Sequence, residues 1–408
     1  MGLRVLQMSD KLNGFGTPTV FRLTIEALES EYEVYIAATH MEQGEKRLIL
    51  KSWEEPKSLL KRFIAFLYIK ENQKSLYDFM IRNDIELVHL HSYQKDLSPS
   101  VLRAIKRYKR KKRIKVVQTL HDYHLICPNN SFYCYSNEIA CHDCLEKGAG
   151  QVIKNCCDYR GKLFSFLRYL RYLICFKVLK QKEIVDEYIV PSDFSEEMHS
   201  RAGIRTHKIY NPVDNFYLPF ARGLEEKENR IVFFGRLSPE KNIPLLIYAF
   251  SKIAPKEGYI LDIVGDGPQR GKLEELVKKL GIVERVVFHG RMVKAELANF
   301  VSRCKISVSP SKCYETFGLT IIEAIFLNVI PVVSATGALK EVVERAGFNT
   351  TFESDNVESL KRKLEEVIEK YDEEFWILMK NKKSVEETFQ EKVYKNRIIE
   401  LYNTIVKK

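Results

Sequence analysis

The chain has 408 residues, of which 45% are hydrophobic and 29% charged, as is typical of a soluble globular protein. This length predicts two domains of roughly 200 residues each. The chain has no uncharged apolar stretch of about 18 residues and an odd number of cysteines, nine, so both a membrane-spanning helix and a secreted disulfide framework are disfavoured.

The net charge of +11 is unevenly distributed along the chain. Residues 1–210 carry 34 Lys and Arg against 25 Asp and Glu, a net +9, and the rest carries +2. The first half is therefore expected to meet something anionic. The start, MGLRVLQMSD, reads as a strand and lacks the features of a signal peptide, so we expect a cytoplasmic protein that can rest on the inner face of the plasma membrane.

Short apolar runs alternate with longer amphipathic runs, a pattern that predicts parallel strands joined by helices. In the first half the predicted strands are LRVLQMS, EVYIAAT, IELVHLHS, IKVVQTLHD and EYIVPS. In the second half they are RIVFFGRLS, YILDIVGDG, RVVFHGR, KISVSPS and VIPVVSA. The predicted fold class is therefore α/β, with two doubly wound, Rossmann-like domains facing a cleft.

The predicted boundary lies near IYNPVDNFYLPFARGLEEKEN, which is rich in Pro, Asn and charge. We expect a first domain at 1–208 with a cysteine-rich insertion at 127–157, and a second domain at 209–386. The last helix, 387–408, is followed by no strand and is expected to return to the first domain.

The segment SPSKCYETFGLTIIEA carries two glutamates on either side of a predicted helix start. Phe317-Gly318 can begin that helix, and its free amides and positive dipole end suit a phosphate. Glu315 lies just outside the start, and Glu323 lies inside the helix, where it can reach a sugar hydroxyl. A solvated helix with incidental acids is the alternative.

Three further segments carry candidate groups. Arg236 and Lys241, in FFGRLSPEKN, can clamp a diphosphate, or they can belong to a solvated basic loop. Gly14 and Gly16 can bring backbone close to a phosphate or sugar, although they do not complete a dinucleotide fingerprint. His121 is predicted to end the strand IKVVQTLHD, where it can donate to a substrate hydroxyl or serve as a structural histidine.

Together these motifs resemble glycosyltransferase family 4, retaining nucleotide-sugar transferases of the GT-B fold, in their bacterial surface-polysaccharide type. The resemblance covers about residues 3–345 and rests on GFG, HDYHLICP, VPSDFSEEM, NPVD, FFGRLSPEKN, VGDGP, the Glu315-x7-Glu323 pair and ATGALKEVV. Two departures affect the donor-sugar contacts. Gly-Phe-Gly stands where Gly-Gly is usual, and Ala338 and Lys340 depart from the common Gly-x-Pro-Glu run.

The resemblance implies roles for the candidate residues. The first domain would bind the acceptor and the second the donor. The donor-binding residues would be Gly14, Gly16, Arg236, Lys241, Glu315, Phe317, Gly318, Leu319 and Glu323. The catalytic residues would be Glu315, His121, Arg236 and Lys241.

The implied reaction moves a hexose or N-acetylhexosamine, with retention of configuration, from a nucleotide-diphosphate sugar to a glycan or lipid-linked acceptor. A UDP-sugar is the expected donor. Cations and helix amides can stabilise the leaving diphosphate, so no metal is expected to be required for catalysis. An epimerase or phosphorylase of the same fold is the nearer alternative, and a basic nucleic-acid-binding protein is an alternative from another class. Nucleic acid is not expected as a partner, because aromatic residues are not interleaved in the basic run.

Six cysteines fall within residues 127–157, and CHDC is a C-x2-C pair. A structural zinc at Cys134, Cys141, Cys144 and Cys156 is one hypothesis, with Cys157 as an alternative to Cys156. Buried inert thiols are an equal alternative, followed by disulfides or an iron–sulfur cluster.

Two basic segments remain, 103–115 with nine cations and 160–182 with seven cations and thirteen apolar or aromatic residues. Neither contains an acid. Both can lie on an anionic membrane surface. For 160–182, a core helix whose Lys and Arg stems cover its edges is the alternative.

Overall fold

The computed structural model describes residues 2–14 and 16–407. The chain divides into two compact units. Unit 1 contains the chain up to Ser136, residues Cys141–Pro212 and the segment from Glu391 onward, and unit 2 contains Asn137–Ala140 and Val213–Gln390.

The strands are β1 (Arg4–Met8), β2 (Glu33–Ala38), β3 (Arg47–Ile49), β4 (Leu87–Leu90), β5 (Lys115–Thr119), β6 (Tyr133–Cys134), β7 (Ile139–Ala140), β8 (Glu187–Val190), β9 (His207–Lys208), β10 (Glu228–Phe234), β11 (Ile260–Val264), β12 (Val286–Gly290), β13 (Cys304–Ser309), β14 (Ile330–Ser334) and β15 (Thr351–Phe352).

The α-helices are α1 (Thr17–Leu28), α2 (Leu59–Leu67), α3 (Lys70–Arg82), α4 (Ser100–Lys111), α5 (Asp143–Lys147), α6 (Gln151–Lys154), α7 (Lys162–Leu173), α8 (Gln181–Ile184), α9 (Asp193–Arg201), α10 (Ile243–Ser251), α11 (Arg270–Lys279), α12 (Lys294–Val301), α13 (Leu319–Phe326), α14 (Ala338–Arg345), α15 (Val357–Glu369), α16 (Tyr371–Phe389) and α17 (Glu391–Lys407). A π-helix, Ile174–Val178, continues α7.

Each unit is built on one parallel sheet. The seven-stranded sheet of unit 1 has the order β3-β2-β1-β4-β5-β8-β9, and the six-stranded sheet of unit 2 has the order β12-β11-β10-β13-β14-β15. These strands are buried on both faces, because helices cover a doubly wound sheet on both sides. The strand order reverses between β1 and β4 and again between β10 and β13. Ligands bind beyond the carboxyl ends of the strands at such points.

The C-terminal helix α17 packs on α1 within unit 1, as predicted. Ile398, Tyr402 and Ile405 join the core that contains Phe21 and Ile25. The helix is also held by polar contacts, since the Tyr394 hydroxyl lies 2.7 Å from Thr24 Oγ1 and Gln7 Nε2 donates to Tyr402 Oη at 3.0 Å.

Some segments take forms that apolar periodicity did not predict. The predicted interdomain segment contains two 3-10 helices, Asn215–Phe220 and Leu224–Glu226, and the cysteine-rich insertion contains β6, β7, α5 and α6. Strand β5 ends at Thr119, so His121 lies in the loop beyond it. Among residues 2–14 and 16–407, no helix is long and apolar enough to cross a membrane.

Candidate functional site

In unit 2, the loop after β10 is pressed against the loop after β11. The Leu237 amide donates to the Asp266 carbonyl at 3.1 Å, and the Gln269 amide donates to the Leu237 carbonyl at 3.1 Å. A Cβ on Gly267 would lie 2.3 Å from the Leu237 carbonyl oxygen, so only glycine permits this approach. Gly267, the second glycine of VGDGP, therefore allows the close approach that holds the loop carrying Arg236.

Arg236 and Lys241 lie on this loop in different surroundings. The Arg236 side chain is exposed, and within the described ranges its guanidinium has no hydrogen-bond or ion-pair partner. Lys241 ends a 3-10 helix, Pro239–Lys241, and its ammonium pairs with the Glu315 carboxylate. One cation is therefore available to a ligand from solvent, and the other is partly buried and held in place.

Glu315 is held from several sides. Ser311 Oγ donates to Glu315 Oε1 at 2.9 Å, and the Ala338 amide donates to the Glu315 carbonyl at 3.1 Å. Burial opposes ionisation, but the Lys241 ammonium and the Ser311 hydroxyl outweigh it and lower the pKa of Glu315. Burial likewise disfavours the charge on Lys241, and the facing carboxylate outweighs it and raises the pKa of Lys241. Both groups are thus charged at neutral pH.

Helix α13 starts beside this pair. Its N-cap is Gly318, at φ 101°, and a Cβ there would lie 2.8 Å from a methyl of Leu339. Phe317 is buried, its ring 5.6 Å from that of Phe389, and Leu319 is the first helical residue. The structure therefore brings Phe317, Gly318 and Leu319 to a helix N-terminus, where the positive end of the helix dipole favours an anion.

Glu323 lies on α13, one turn into the helix. The Tyr217 hydroxyl donates to Glu323 Oε1 at 3.2 Å. Burial raises the pKa of Glu323 to about 7, and the Tyr217 hydrogen bond only partly offsets it. Tyr217 itself lies in a 3-10 helix of the segment predicted to be a linker, and nothing in the pattern of that segment indicated this contact.

Gly14 and Gly16 lie in unit 1, between β1 and α1. Both have positive φ angles, 134° and 75°, and Gly16 is the N-cap of α1. Thr19 Oγ1 donates to the Gly14 carbonyl at 3.2 Å. Phe15, between the two glycines, lies outside the described residues.

His121, also in unit 1, contacts a second histidine. His91 Nδ1 lies 3.1 Å from His121 Nε2, and the two rings are stacked with centroids 5.3 Å apart. Burial lowers the pKa of His121 to about 4, so the ring is neutral at pH 7. The neighbouring Asp122 carboxylate binds His124 Nδ1 at 2.6 Å.

Asp10 is a buried residue that the sequence analysis missed. Its carboxylate accepts from the amides of Lys95, Asp96 and Leu97 at 2.9–3.0 Å, and from the Ser92 hydroxyl. It therefore ties the loop after β4 to the end of β1. Its position two residues after β1 was the available signal.

The cysteine-rich insertion brings five thiols close together: Cys127, Cys134, Cys141, Cys144 and Cys157. Cys134 Sγ donates to the Asn155 carbonyl at 3.2 Å and lies 3.4 Å from Ser136 Oγ. The hydrogen bond from Cys144 and those from three backbone amides lower the pKa of Cys127 to about 7, against its burial.

In the part of the chain that the structure describes, however, no three His, Cys, Asp or Glu side chains are placed to hold a metal ion. Zinc at Cys134, Cys141, Cys144 and Cys156 thus stays a prediction.

The two basic segments differ in what they expose. In α4, within 103–115, Ala104, Ile105 and Tyr108 are buried, and the cations lie on the other side. In 160–182, Arg171 is 2% exposed and donates to the carbonyls of Phe66, Tyr93 and Leu97. Part of this segment is therefore core, as the alternative interpretation held, and part of it faces solvent.

Comparison with known proteins places the unit 2 residues in a recognised domain. Residues 216–383 match the family model Glycosyl transferases group 1. The matched residues include Arg236, Lys241, Glu315 and Glu323, together with the start of α13.

Several curated relatives carry related names. The chain is 31% identical over 167 residues to an uncharacterized glycosyltransferase, MJ1607, of Methanocaldococcus jannaschii, covering 41% of this chain and 43% of that protein. It is 27% identical over 157 residues to the alpha-monoglucosyldiacylglycerol synthase of Streptococcus pneumoniae, covering 35% of each. The chain thus spans less than half the length of these relatives.

Solved structures match over nearly the whole chain. Anabaena Alr3699/HepE in complex with UDP superposes with a TM-score of 0.69 at 16% identity, covering 99% of this chain and 100% of that one. Sucrose-phosphate synthase from Thermosynechococcus elongatus gives a TM-score of 0.72 at 16% identity, with 99% of each chain covered. These likenesses confirm the predicted fold class, GT-B, with two Rossmann-like domains and the returning C-terminal helix.

Proposed function

We propose that this protein is a retaining glycosyltransferase that moves a hexose or N-acetylhexosamine from a UDP-sugar to a glycan or lipid-linked acceptor in surface-polysaccharide synthesis. One observation carries the proposal: the Lys241–Glu315 ion pair, the exposed Arg236 and the α13 N-terminus occur together within the matched family region. The names of the relatives and the UDP complex of HepE support the donor class.

Charge development explains why these groups suit sugar transfer. Breaking the bond between sugar and nucleotide builds negative charge on the departing diphosphate. Arg236, Lys241 and the amides of Phe317–Leu319 offer fixed positive charge and N–H donors to it, which favours the transition state over the ground state. These groups supply the electrostatic stabilisation without a metal ion, so we propose metal-independent catalysis.

Glu315 and Glu323 take different parts in this scheme. Glu315 is held ionised by Lys241, so it can accept hydrogen bonds from hydroxyls of the transferred sugar. Glu323 lies one helical turn into α13, where its carboxyl can accept hydrogen bonds from ribose hydroxyls. The acceptor hydroxyl attacks on the face that the diphosphate leaves, and the departing phosphate takes its proton, so configuration is retained. In unit 1, we propose on the resemblance that His121 is catalytic and that Gly14 and Gly16 bind the donor.

The test begins with a screen of nucleotide sugars for thermal stabilisation, because a ligand that binds only the folded state raises the melting temperature. The stabilising donor is then incubated with glycan and lipid-linked acceptors, and the anomeric linkage of the product is read by NMR. A retained linkage supports the mechanism, and an inverted linkage contradicts it.

An epimerase or phosphorylase with this fold uses a similar donor site. An epimerase changes the sugar-nucleotide without an acceptor, and a phosphorylase requires inorganic phosphate. Release of UDP only when a glycan or lipid-linked acceptor is present therefore separates transfer from both. Salt-sensitive binding of oligonucleotides with no turnover of any sugar-nucleotide would instead favour the nucleic-acid-binding alternative.

We further propose that unit 1 meets an anionic membrane on the cytoplasmic side through 103–115 and 160–182. The exposed face of α4 carries Arg103, Arg107, Arg110 and Lys111, so its attraction to lipid is purely electrostatic. Replacing these four by glutamine should weaken binding to anionic vesicles and remove much of its salt dependence. Undiminished binding would exclude α4 from the contact.

A further inference from the structure

Helix α2 carries an apolar surface that the sequence analysis did not identify. Leu59, Leu60 and Ile64 are 63%, 68% and 59% exposed, whereas Ala65 and Phe66 on the other side are buried. Exposed cations interrupt this apolar surface or precede it: Lys57, Lys61 and Arg62. The helix LLKRFIAFL contains no acid, and the exposed Glu54, Glu55 and Glu71 lie outside its two ends.

The beginning of α7 extends this surface. The two helices pack through the rings of Phe63 and Phe164, whose centroids are 5.8 Å apart, and through Phe66 and Leu167 beneath them. On α7, Leu163 and Phe166 are 53% and 44% exposed, and Lys162 is exposed as well. The apolar side chains of two packed helices thus emerge with lysines among them. We call this surface, built by Leu59, Leu60, Ile64, Leu163 and Phe166 with their neighbouring cations, the α2–α7 face.

We propose that the α2–α7 face docks on an anionic lipid bilayer, with its apolar side chains at the acyl boundary and its cations among the headgroups. An amphipathic surface with lysine and arginine beside leucine and phenylalanine fits that boundary. A protein partner fits less well, because lysine is depleted from the cores of protein–protein interfaces. The inference builds on the proposed lipid-linked acceptor, but vesicle binding requires no sugar transfer, so the two can fail separately.

The test uses the full chain and vesicles of phosphatidylcholine with and without phosphatidylglycerol. L60S/I64S removes two exposed apolar side chains from α2, and V283S/V293S removes two exposed apolar side chains from unit 2 as a matched control. We expect L60S/I64S to weaken binding to the anionic vesicles by about tenfold or more. We expect V283S/V293S to bind like the parent, and both variants to keep its melting temperature.

Two results would overturn the proposal. One is vesicle binding that L60S/I64S leaves unchanged. The other is a parent protein that does not bind the anionic vesicles but self-associates in sedimentation, with L60S/I64S dispersing it, because the α2–α7 face would then contact a second copy.

A second, independent inference concerns a row of buried histidines in unit 1. Gln7 Nε2 donates to Tyr402 Oη, so the Tyr402 proton is directed to His89 Nδ1 at 2.7 Å, and His89 Nε2–H donates to Thr119 Oγ1 at 2.8 Å. These contacts fix the ring orientation and the tautomer of His89. The next ring is that of His91. Its centroid lies 4.3 Å from the His89 ring centroid, and His91 is 1% exposed.

His91 has one partnered ring nitrogen and one without a partner. Its Nδ1 contacts His121 Nε2, and its buried Nε2 has no hydrogen-bond partner within residues 2–14 and 16–407. Buried N–H groups without acceptors are rarer than buried acceptors without donors, so Nε2 is the unprotonated nitrogen. The proton of neutral His91 therefore sits on Nδ1 and points at His121 Nε2.

We infer that His91 is a positioning residue that holds His121 in its Nδ1–H tautomer. In this state His121 acts as a hydrogen-bond donor through Nδ1 and takes no proton at Nε2 while the contact lasts. This inference rests on the proposed function only where transfer is measured, because the tautomer is observable without any substrate.

The test is ¹⁵N NMR of histidine-labelled protein, with H91L, which removes the donor, and H91N, whose amide nitrogen replaces it. H199L is the control, since buried His199 bonds the Ser195 carbonyl at 2.7 Å. We expect the Nδ1–H tautomer of His121 in the parent, H91N and H199L, and a shift toward Nε2–H in H91L. The transfer rate should fall about tenfold in H91L and recover in H91N.

An Nε2–H tautomer in the parent, or a tautomer that H91L leaves unchanged, would overturn this inference. A parent with the expected tautomer but no transfer to any acceptor would instead count against the proposed function.

Discussion

Glu323 offers the sharpest link between stability and the proposed nucleotide site. Burial raises the pKa of its carboxyl from 4.5 to about 7, so the folded protein keeps this proton between pH 4.5 and 7 while the unfolded chain loses it. The free energy of unfolding therefore falls as pH rises from 4.5 to 7 and is constant above the folded pKa. At 1.36 kcal/mol for each tenfold change in proton affinity, the full penalty is about 3 kcal/mol above pH 8.

Glu323→Gln removes this penalty, because the amide cannot ionise. We expect the variant to unfold at a midpoint about 3–4 °C above the parent at pH 8, and close to the parent at pH 5, by calorimetry. Glu275→Gln changes an exposed glutamate of α11 and should leave the midpoint unchanged at both pH values. A Glu323→Gln variant that gains no stability between pH 5 and pH 8 would refute this account of its burial.

The same carboxyl makes a prediction for UDP binding. If ribose hydroxyls donate to the ionised form, binding must remove the proton below pH 7. The dissociation constant should then be about tenfold higher at pH 6 than at pH 8, and calorimetry in buffers of different ionisation enthalpy should detect proton release at pH 6. Glu323→Gln should bind UDP weakly at both pH values. Affinity that does not change with pH in the parent would remove Glu323 from the ribose site.

Two further predictions concern packing and metal. Gly267→Ala should lower the melting temperature by several degrees and slow sugar transfer, because its Cβ would strike the Leu237 carbonyl, whereas Gly271→Ala, with no atom within 4 Å of its Cβ, should do neither. Equal behaviour of the two variants would contradict the tight loop contact. Freshly purified protein should contain about one equivalent of zinc, and Cys144→Ser should reduce it while Cys304→Ser does not; a metal-free parent would dismiss the site.

More of the fold than of the candidate site could be predicted from the sequence. Apolar runs such as RVLQM and IPVVS are buried on both faces of a parallel sheet, so their periodicity was enough to predict two doubly wound domains. The start of α13 was also predictable, because Gly318 precedes an apolar helical run. The Lys241–Glu315 pair was not, since 74 residues separate its members and only the sheet order brings them together.

The contacts of the unit 1 residues were also unpredictable, because their partners are far away in the sequence. The partner of His121 is His91, from the neighbouring strand, and Asp10 binds amides more than eighty residues away. Local patterns contain no information on such pairings. The α2–α7 face was missed because amphipathic periodicity marks a helix but does not tell which helix retains exposed leucines after packing.

The central claim is that unit 2 neutralises a diphosphate, and Arg236→Ala tests it most directly. The side chain is exposed and has no partner among the described residues, so its removal should leave the melting temperature unchanged. With a stabilising UDP-sugar and its acceptor, the rate of sugar transfer should fall by about 100-fold, as when one stabilising donor is lost from a transition state. A stable Arg236→Ala variant that transfers sugar at the parent rate would contradict the account.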